Sequence, residues 1–219
     1  MRTAVIVGGA RTPMGGFGGA LKTVPASDLA ALAIRAALER SNVNPRDVGE
    51  VIFGNVLQAE QAGYAPRIAS LNAGIPEETP VIAINRQCSS GIEAINLAAL
   101  LIQTGEIDIA VAGGTESMSQ SPYLLDYKSR FDGLGLGKAQ LRDSLLDVLT
   151  CPVNNYHMGV ATENLSRKYG ISRSEQDELA LLSHQRAVTA IKSGKFQDQI
   201  VPVAVQIPRK DSINICTDQ

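Results

Sequence analysis

Up to about residue 112, apolar residues follow two alternating patterns. Short β-branched runs give way to stretches in which apolar side chains return at helical spacing. The runs predict strands over Thr3–Val7, Glu50–Val56, Val81–Asn85 and Ile107–Ala112, each bounded by Gly, Pro, Asn or Asp. The periodic stretches predict helices from Ser27 to about Arg40, with Leu29, Leu32, Ala33, Ala36 and Ala37 on one face, from Ala65 to Ala73, and from Cys88 to Gln103. Val81–Asn85 and Ile107–Ala112 are nearly all apolar, as expected of strands covered on both faces. Strand and helix alternating through short connections predict an α/β fold, a parallel sheet with helices on its faces.

The pattern breaks at Glu116. Ser119, Ser121, Pro122 and the glycine-rich Phe131–Gly137 show no period, which predicts a functional or inter-domain excursion. Periodicity returns after Gly159 in one strong helix: Ser172 with Glu175 forms a capping-box pattern, Leu179, Leu182, Ala187 and Ile191 make a stripe, and Gly194 closes it. Ile200–Ile207 reads as a strand, and the end at Asp218-Gln219 follows without a closing helix, so a chain cut short is expected.

A chain of 219 residues can bury about 70% of its unfolded surface. Its 20 Lys and Arg against 22 Asp and Glu leave a net charge of -2 and no basic footprint, so neither nucleic acid nor membrane is an expected partner. The apolar stretch Ile92–Ile102 is interrupted by Glu93 and Asn96, and Ala4–Val7 is too short for a signal peptide. Cys88, Cys151 and Cys216 with two histidines offer no disulfide framework and no metal-ligand spacing. Free thiols in a reducing compartment follow, with the cytoplasm the expected location and an organelle left open. Gly8, Gly9 and Gly15–Gly19 form neither a dinucleotide fingerprint nor a P-loop and read as a bent loop.

Cys88 carries the most chemistry. It lies where the strand Val81–Asn85 gives way to the apolar helix, and the unpaired N–H groups and positive dipole end at a helix N-terminus favour a thiolate nucleophile. Ser89, Ser90 and Gly91 keep the next turn small, leaving room for an electrophile and backbone N–H groups for an oxyanion. The alternative is a cysteine that packs as a small hydrophobe.

Asn85-Arg86-Gln87-Cys88-Ser89-Ser90-Gly91, Gly113-Gly114-Thr115-Glu116-Ser117-Met118-Ser119, and His157-Met158-Gly159 with Thr162-Glu163-Asn164 resemble the thiolase family of acyl-CoA acetyltransferases. Arg11-Thr12-Pro13 before the glycine-rich loop is similar to the start of those enzymes. The resemblance implies the thiolase fold, a layered α-β-α-β-α sandwich, of which the chain holds the first α/β half over 1–118 and an incomplete inserted loop domain over 119–219. It implies acyl transfer between CoA thioesters through an acyl-cysteine on Cys88, either condensing two acetyl-CoA to acetoacetyl-CoA or cleaving 3-ketoacyl-CoA. No cofactor is implied beyond coenzyme A as substrate or product, and the expected assembly is a homodimer or tetramer.

On the same resemblance His157 and Met158 line the substrate pocket and Leu149 touches the CoA arm. Asn85, Gly114, Glu116 and Ser117 support the cysteine loop. His157 points to short acyl chains, whereas Asn85-Arg86-Gln87-Cys88 is similar to many degradative members, so chain length stays open. The family also carries a Gly-His-Pro histidine and a second cysteine before a glycine run. Neither motif occurs here, since His157 follows Tyr156 and His184 follows Ser183. The 219 residues alone are therefore expected to be inactive. The rival readings are a non-catalytic CoA- or lipid-binding subunit and another thiolase-fold condensing enzyme, a ketoacyl synthase or hydroxymethylglutaryl-CoA synthase.

Overall fold

In the computed structural model, which describes residues 2–61, 64–136, 140–207, 209 and 211–219, two compact units form. One is Met1–Gln120 with Asp198–Gln219 and the other is Ser121–Gln197. In the first unit Ala26–Arg40 (α1) leads to Glu50–Gly54 (β1), the middle strand of a three-stranded parallel sheet. Ala65–Asn72 (α2), Val81–Ile84 (β2), Ser90–Thr104 (α3) and Ala110–Gly114 (β3) complete it, in the order β2-β1-β3. Val51 lies opposite Val81 on one side and Val111 on the other.

The two-residue alternation of β1 divides the core. Val51 and Phe53 pack with Ala30, Ile34 and Leu38 of α1 and Ala69 of α2, whereas Ile52 points to the other face and meets Ala94 and Ala98 of α3. Burial therefore concentrates on β1. β2 and β3, predicted to be covered on both faces, are half-buried throughout, apart from exposed Gly114, because each flanks β1 and is not itself enclosed.

Thr3–Val7 is the expected strand that does not form. Among the described residues no ladder pairs it, and Val5, Ile6 and Val7 are exposed. A β-branched run supplies propensity only, and a strand also needs a neighbour to take its N–H and C=O groups.

In the second unit Tyr123–Leu125 (β4) pairs antiparallel with Leu141–Asp143 (β5), with Lys128–Asp132 (α4) between them. Gly137, at the end of the glycine-rich run, lies outside the described residues. The carboxylate of Asp143 accepts from the N–H groups of Leu145 and Leu146 and starts Ser144–Val148 (α5). Met158–Tyr169 (α6) and Arg173–Lys192 (α7) follow, and neither helix has a buried residue. The excursion expected as irregular is thus largely short elements, most of them held by a cap or by strand pairing.

Residues 198–219 group with the first unit. Val203–Val205 (β6) and Ile213–Ile215 (β7) form an antiparallel ribbon whose Val203 and Val205 pack on Leu21 and Leu29. Asp218 holds the Arg11 guanidinium with both carboxylate oxygens, at 2.7 and 2.8 Å. That bidentate bond lowers the Asp218 pKa. The expected boundary at 118/119 lies close to the junction after Gln120, and the chain rejoins the first unit at Asp198.

Candidate active site

At the carboxyl end of β2 the chain turns sharply into α3, and Cys88 sits on that turn with its side chain exposed. Gln87 before it takes φ of 51°, a left-handed conformation that costs a non-glycine residue about 1–2 kcal/mol. The turn is held from both ends. Asn85 Oδ1 accepts from the Gln87 N–H at 3.2 Å, and the buried Ser90 hydroxyl accepts from the Arg86 N–H at 2.8 Å while donating to the Gln87 carbonyl at 2.6 Å. Arg86 also pairs with Glu93 of α3.

The helix begins at Ser90, so Cys88 precedes its first turn and is not part of it. The N–H groups of Ser89 and Ser90 bond back to the Arg86 and Gln87 carbonyls. Those two amides are not open to an oxyanion, contrary to the expectation that the small residues after Cys88 would leave them free. What the turn does provide is a side chain pushed outward on a fixed backbone.

Beneath the turn the sheet presents glycines. A Cβ on Gly54, at the end of β1, would come within 2.7 Å of the backbone of Ser90 and Gly91. On Gly114 it would meet the Gly54 carbonyl at 3.2 Å and Gly91 Cα at 3.5 Å. Close approach of α3 to this crest therefore depends on the absence of side chains at both positions. Beside Gly114, Glu116 reaches across to β1. Its carboxylate accepts from the Val56 N–H at 2.9 Å, the Leu57 N–H at 3.0 Å and the Asn55 amide at 2.9 Å. Burial pushes the Glu116 pKa up, and the two backbone bonds oppose the shift. Ser117 is buried at the following position.

The other expected residues lie in the second unit, and three of them come together. The Met158 N–H donates to the Leu149 carbonyl at 2.9 Å, which sets His157 and Met158 beside the end of α5. His157 caps α6, its Nδ1 accepting from the Gly159 N–H at 3.0 Å. In a neutral ring, an accepting Nδ1 places the proton on Nε2 and leaves Nε2–H as a donor. His157 and Met158 are exposed and Leu149 is half-buried.

Sequence reading passed over several of these features. Asn55 is 1% exposed and directly follows β1, and a Gly-Asn pair at a strand's carboxyl end is the available signal. Ser90 was read only as a small residue. Nothing local foretold that Cys151 would draw N–H groups of Asn154 and Val153, which lower its thiol pKa. A cavity of about 720 Å³ lies between residues 7–17, α1 and β3, and Cys88 does not line it. The candidate nucleophile thus stands on the open crest, not inside that cavity. Among the described residues no cluster of three or more His, Cys, Asp or Glu could hold a metal, and no helix is long and apolar enough to cross a membrane.

Comparison with known proteins agrees with this architecture. The thiolase N-terminal domain matches residues 4–219. The chain is 47% identical over its whole length to the beta-ketothiolase BktB of Cupriavidus necator, covering 55% of that protein. It is also 47% identical to an acetyl-CoA acetyltransferase of Chromobacterium violaceum, over 98% of this chain and 54% of that one. The crystal structure of the Bacillus anthracis acetyl-CoA acetyltransferase superposes with a TM-score of 0.95 at 42% identity, covering all of this chain and 55% of its own. The chain spans about half the length of these relatives. The match of the thiolase N-terminal domain to residues 4–219, together with the end-to-end likeness of the fold to a solved acetyl-CoA acetyltransferase, makes this chain a member of the thiolase family.

Proposed function

We propose that the chain supplies the nucleophile-bearing part of a thiolase that transfers acyl groups between CoA thioesters. The observation that carries this reading is Cys88 itself, exposed on a turn fixed by Asn85 and Ser90 and by a left-handed Gln87. The Cys88 thiolate adds to the carbonyl carbon of an acyl-CoA, the bond from that carbon to the CoA sulfur breaks, and CoA leaves to take up a proton. The acyl-cysteine is then attacked by the α-carbon of a second acetyl-CoA after loss of its proton. A carbon–carbon bond forms and the cysteine thiolate is released. By microscopic reversibility, cleavage of a 3-ketoacyl-CoA by CoA runs through the same steps in reverse, the acyl exchange between the two sulfurs being nearly balanced.

His157 positions substrate through Nε2–H, with Met158 and Leu149 forming the adjoining wall against the pantetheine arm. Asn85, Gly114, Glu116 and Ser117 hold the nucleophile's turn. The bases that take the thiol proton and the α-proton belong to the second half that the resemblance implies. No cofactor takes part other than coenzyme A. The working assembly is a homodimer or tetramer, and the proposed compartment is the cytoplasm, with an organelle left open.

The test is mass spectrometry of the complete enzyme after mixing with acetyl-CoA. Acetyl on the Cys88 peptide, and loss of both adduct and condensation in Cys88→Ser, are expected. Retained turnover in Cys88→Ser removes Cys88 from the nucleophile's role, and acetyl only on Cys151 or Cys216 overturns the assignment in favour of a CoA-binding subunit without chemistry.

A further inference from the structure

We infer that Asn55 is a positioning residue for the Cys88 nucleophile, acting through Glu116 and the glycine floor beneath α3. The inference rests on the reading of Cys88 just given and adds a residue to it.

Asn55 is almost fully buried directly after β1, where leaving a polar group unpaired is costly: its amide nitrogen is bonded, and its Oδ1 is buried with no hydrogen-bond partner among the described residues. Its amide Nδ2 donates to Glu116 Oε1 at 2.9 Å and to the Thr115 carbonyl at 3.2 Å. Its backbone N–H donates to the Ile84 carbonyl at 3.0 Å, at the end of β2. One residue therefore ties together the carboxyl ends of all three strands. Glu116 completes the tie from β3's side by accepting the Val56 and Leu57 N–H groups, and the Thr115 N–H bonds the Gly54 carbonyl at 3.0 Å.

The consequence reaches Cys88 through contact. Gly54 is the neighbour of Asn55 in the chain, and its Cα lies so close to Ser90 and Gly91 that no Cβ fits between them. Ser90 is the residue whose hydroxyl closes the turn around Gln87 and Cys88. A shift of the crest by a fraction of an ångström is therefore passed to the Ser90 hydroxyl and then to the thiol, with no soft side chain to absorb it. In acyl transfer such misplacement lowers the rate of attack without weakening the grip on CoA, which depends on other residues.

The experiment uses the complete enzyme and follows single-turnover acetylation of Cys88 by peptide-resolved mass spectrometry, normalised to folded protein. Asn55→Ala is expected to slow acetylation by roughly 10- to 100-fold and to lower kcat while leaving KM for acetyl-CoA unchanged. Glu116→Gln keeps the size of the side chain and loses one acceptor, so it is expected to act in the same direction and is read in the same way should Asn55→Ala not fold. The pair Asn55→Asp with Glu116→Gln restores an acceptor facing a donor and is expected to recover part of the rate. Wild-type acetylation per folded molecule in the variants, with only Tm lowered, overturns the inference. Failure of the wild-type enzyme to acetylate Cys88 at all removes the functional reading instead, so the two failures are distinct.

Discussion

Two helices of this chain reach the same secondary structure by different routes. α1 buries seven of its 15 residues, Ile34 among them at 1% exposure, and its N-terminus at Pro25 has no side-chain cap. α7 buries none of its 20 residues, yet it has a complete capping box, with Ser172 and Glu175 bonding each other's backbone N–H, and an Arg173–Asp177 pair one turn apart. Both stretches show an apolar stripe in the sequence. Only that of α1 meets a sheet, at Val51 and Phe53 of β1. Helical periodicity therefore announces a helix in both cases, whereas the energy that holds it comes from burial in one and from caps and local pairs in the other.

That contrast can be broken most forcefully at the core. Ile34→Ala should destabilise the first unit by about 2–5 kcal/mol, measured by chemical denaturation, because it opens a cavity against β1. An effect no larger than that of a surface change would mean that α1 is held as α7 is. Ser172→Ala should cost about 1 kcal/mol, seen as faster amide exchange in the first turn of α7 with α1 unaffected.

The glutamates of the two regions sharpen the comparison further. Burial raises the pKa of Glu116, while the Ser172 hydroxyl and backbone N–H lower that of the exposed Glu175. For Glu116 the native state holds its proton to a higher pH than the unfolded chain. Its ionisation therefore costs stability as pH rises from the ordinary glutamate range through the raised value. For Glu175 the sign is opposite: its support of α7 is complete above the ordinary glutamate range and is lost as pH falls through the lowered value. Carboxyl titration by NMR should show the two moving to opposite sides of an ordinary glutamate, and equal midpoints would remove the distinction. The smallest effect is expected at Leu179, which is 66% exposed on α7: Leu179→Ala should change stability of this chain by no more than about 0.5 kcal/mol.

The functional site divides in a similar way between local and assembled features. The position of Cys88 was legible because a buried strand followed by an apolar helix leaves only a short turn between them. The bonds of that turn were not, since Ser90 reads as a small residue until its hydroxyl is seen between the Arg86 N–H and the Gln87 carbonyl. His157 was legible through its motif, but its capping of α6 was not, because a histidine is an unusual cap. Asn55 escaped entirely. Its partners lie some sixty positions away on the far side of an α3–β3 crossover, and no periodicity encodes such a meeting.

Local chemistry, then, was sufficient to specify the helices α1, α2, α3 and α7, the three paired strands and the turn that carries the cysteine, because propensity, caps and repeat spacing act between residues close in the chain. Which apolar runs would be enclosed was decided by the assembled sheet. β1 is covered on both faces, β2 and β3 only partly, and Thr3–Val7 joins no strand among the described residues. Burial and strand pairing are properties of what lies alongside a segment, and a one-dimensional pattern records only the segment's readiness to take part.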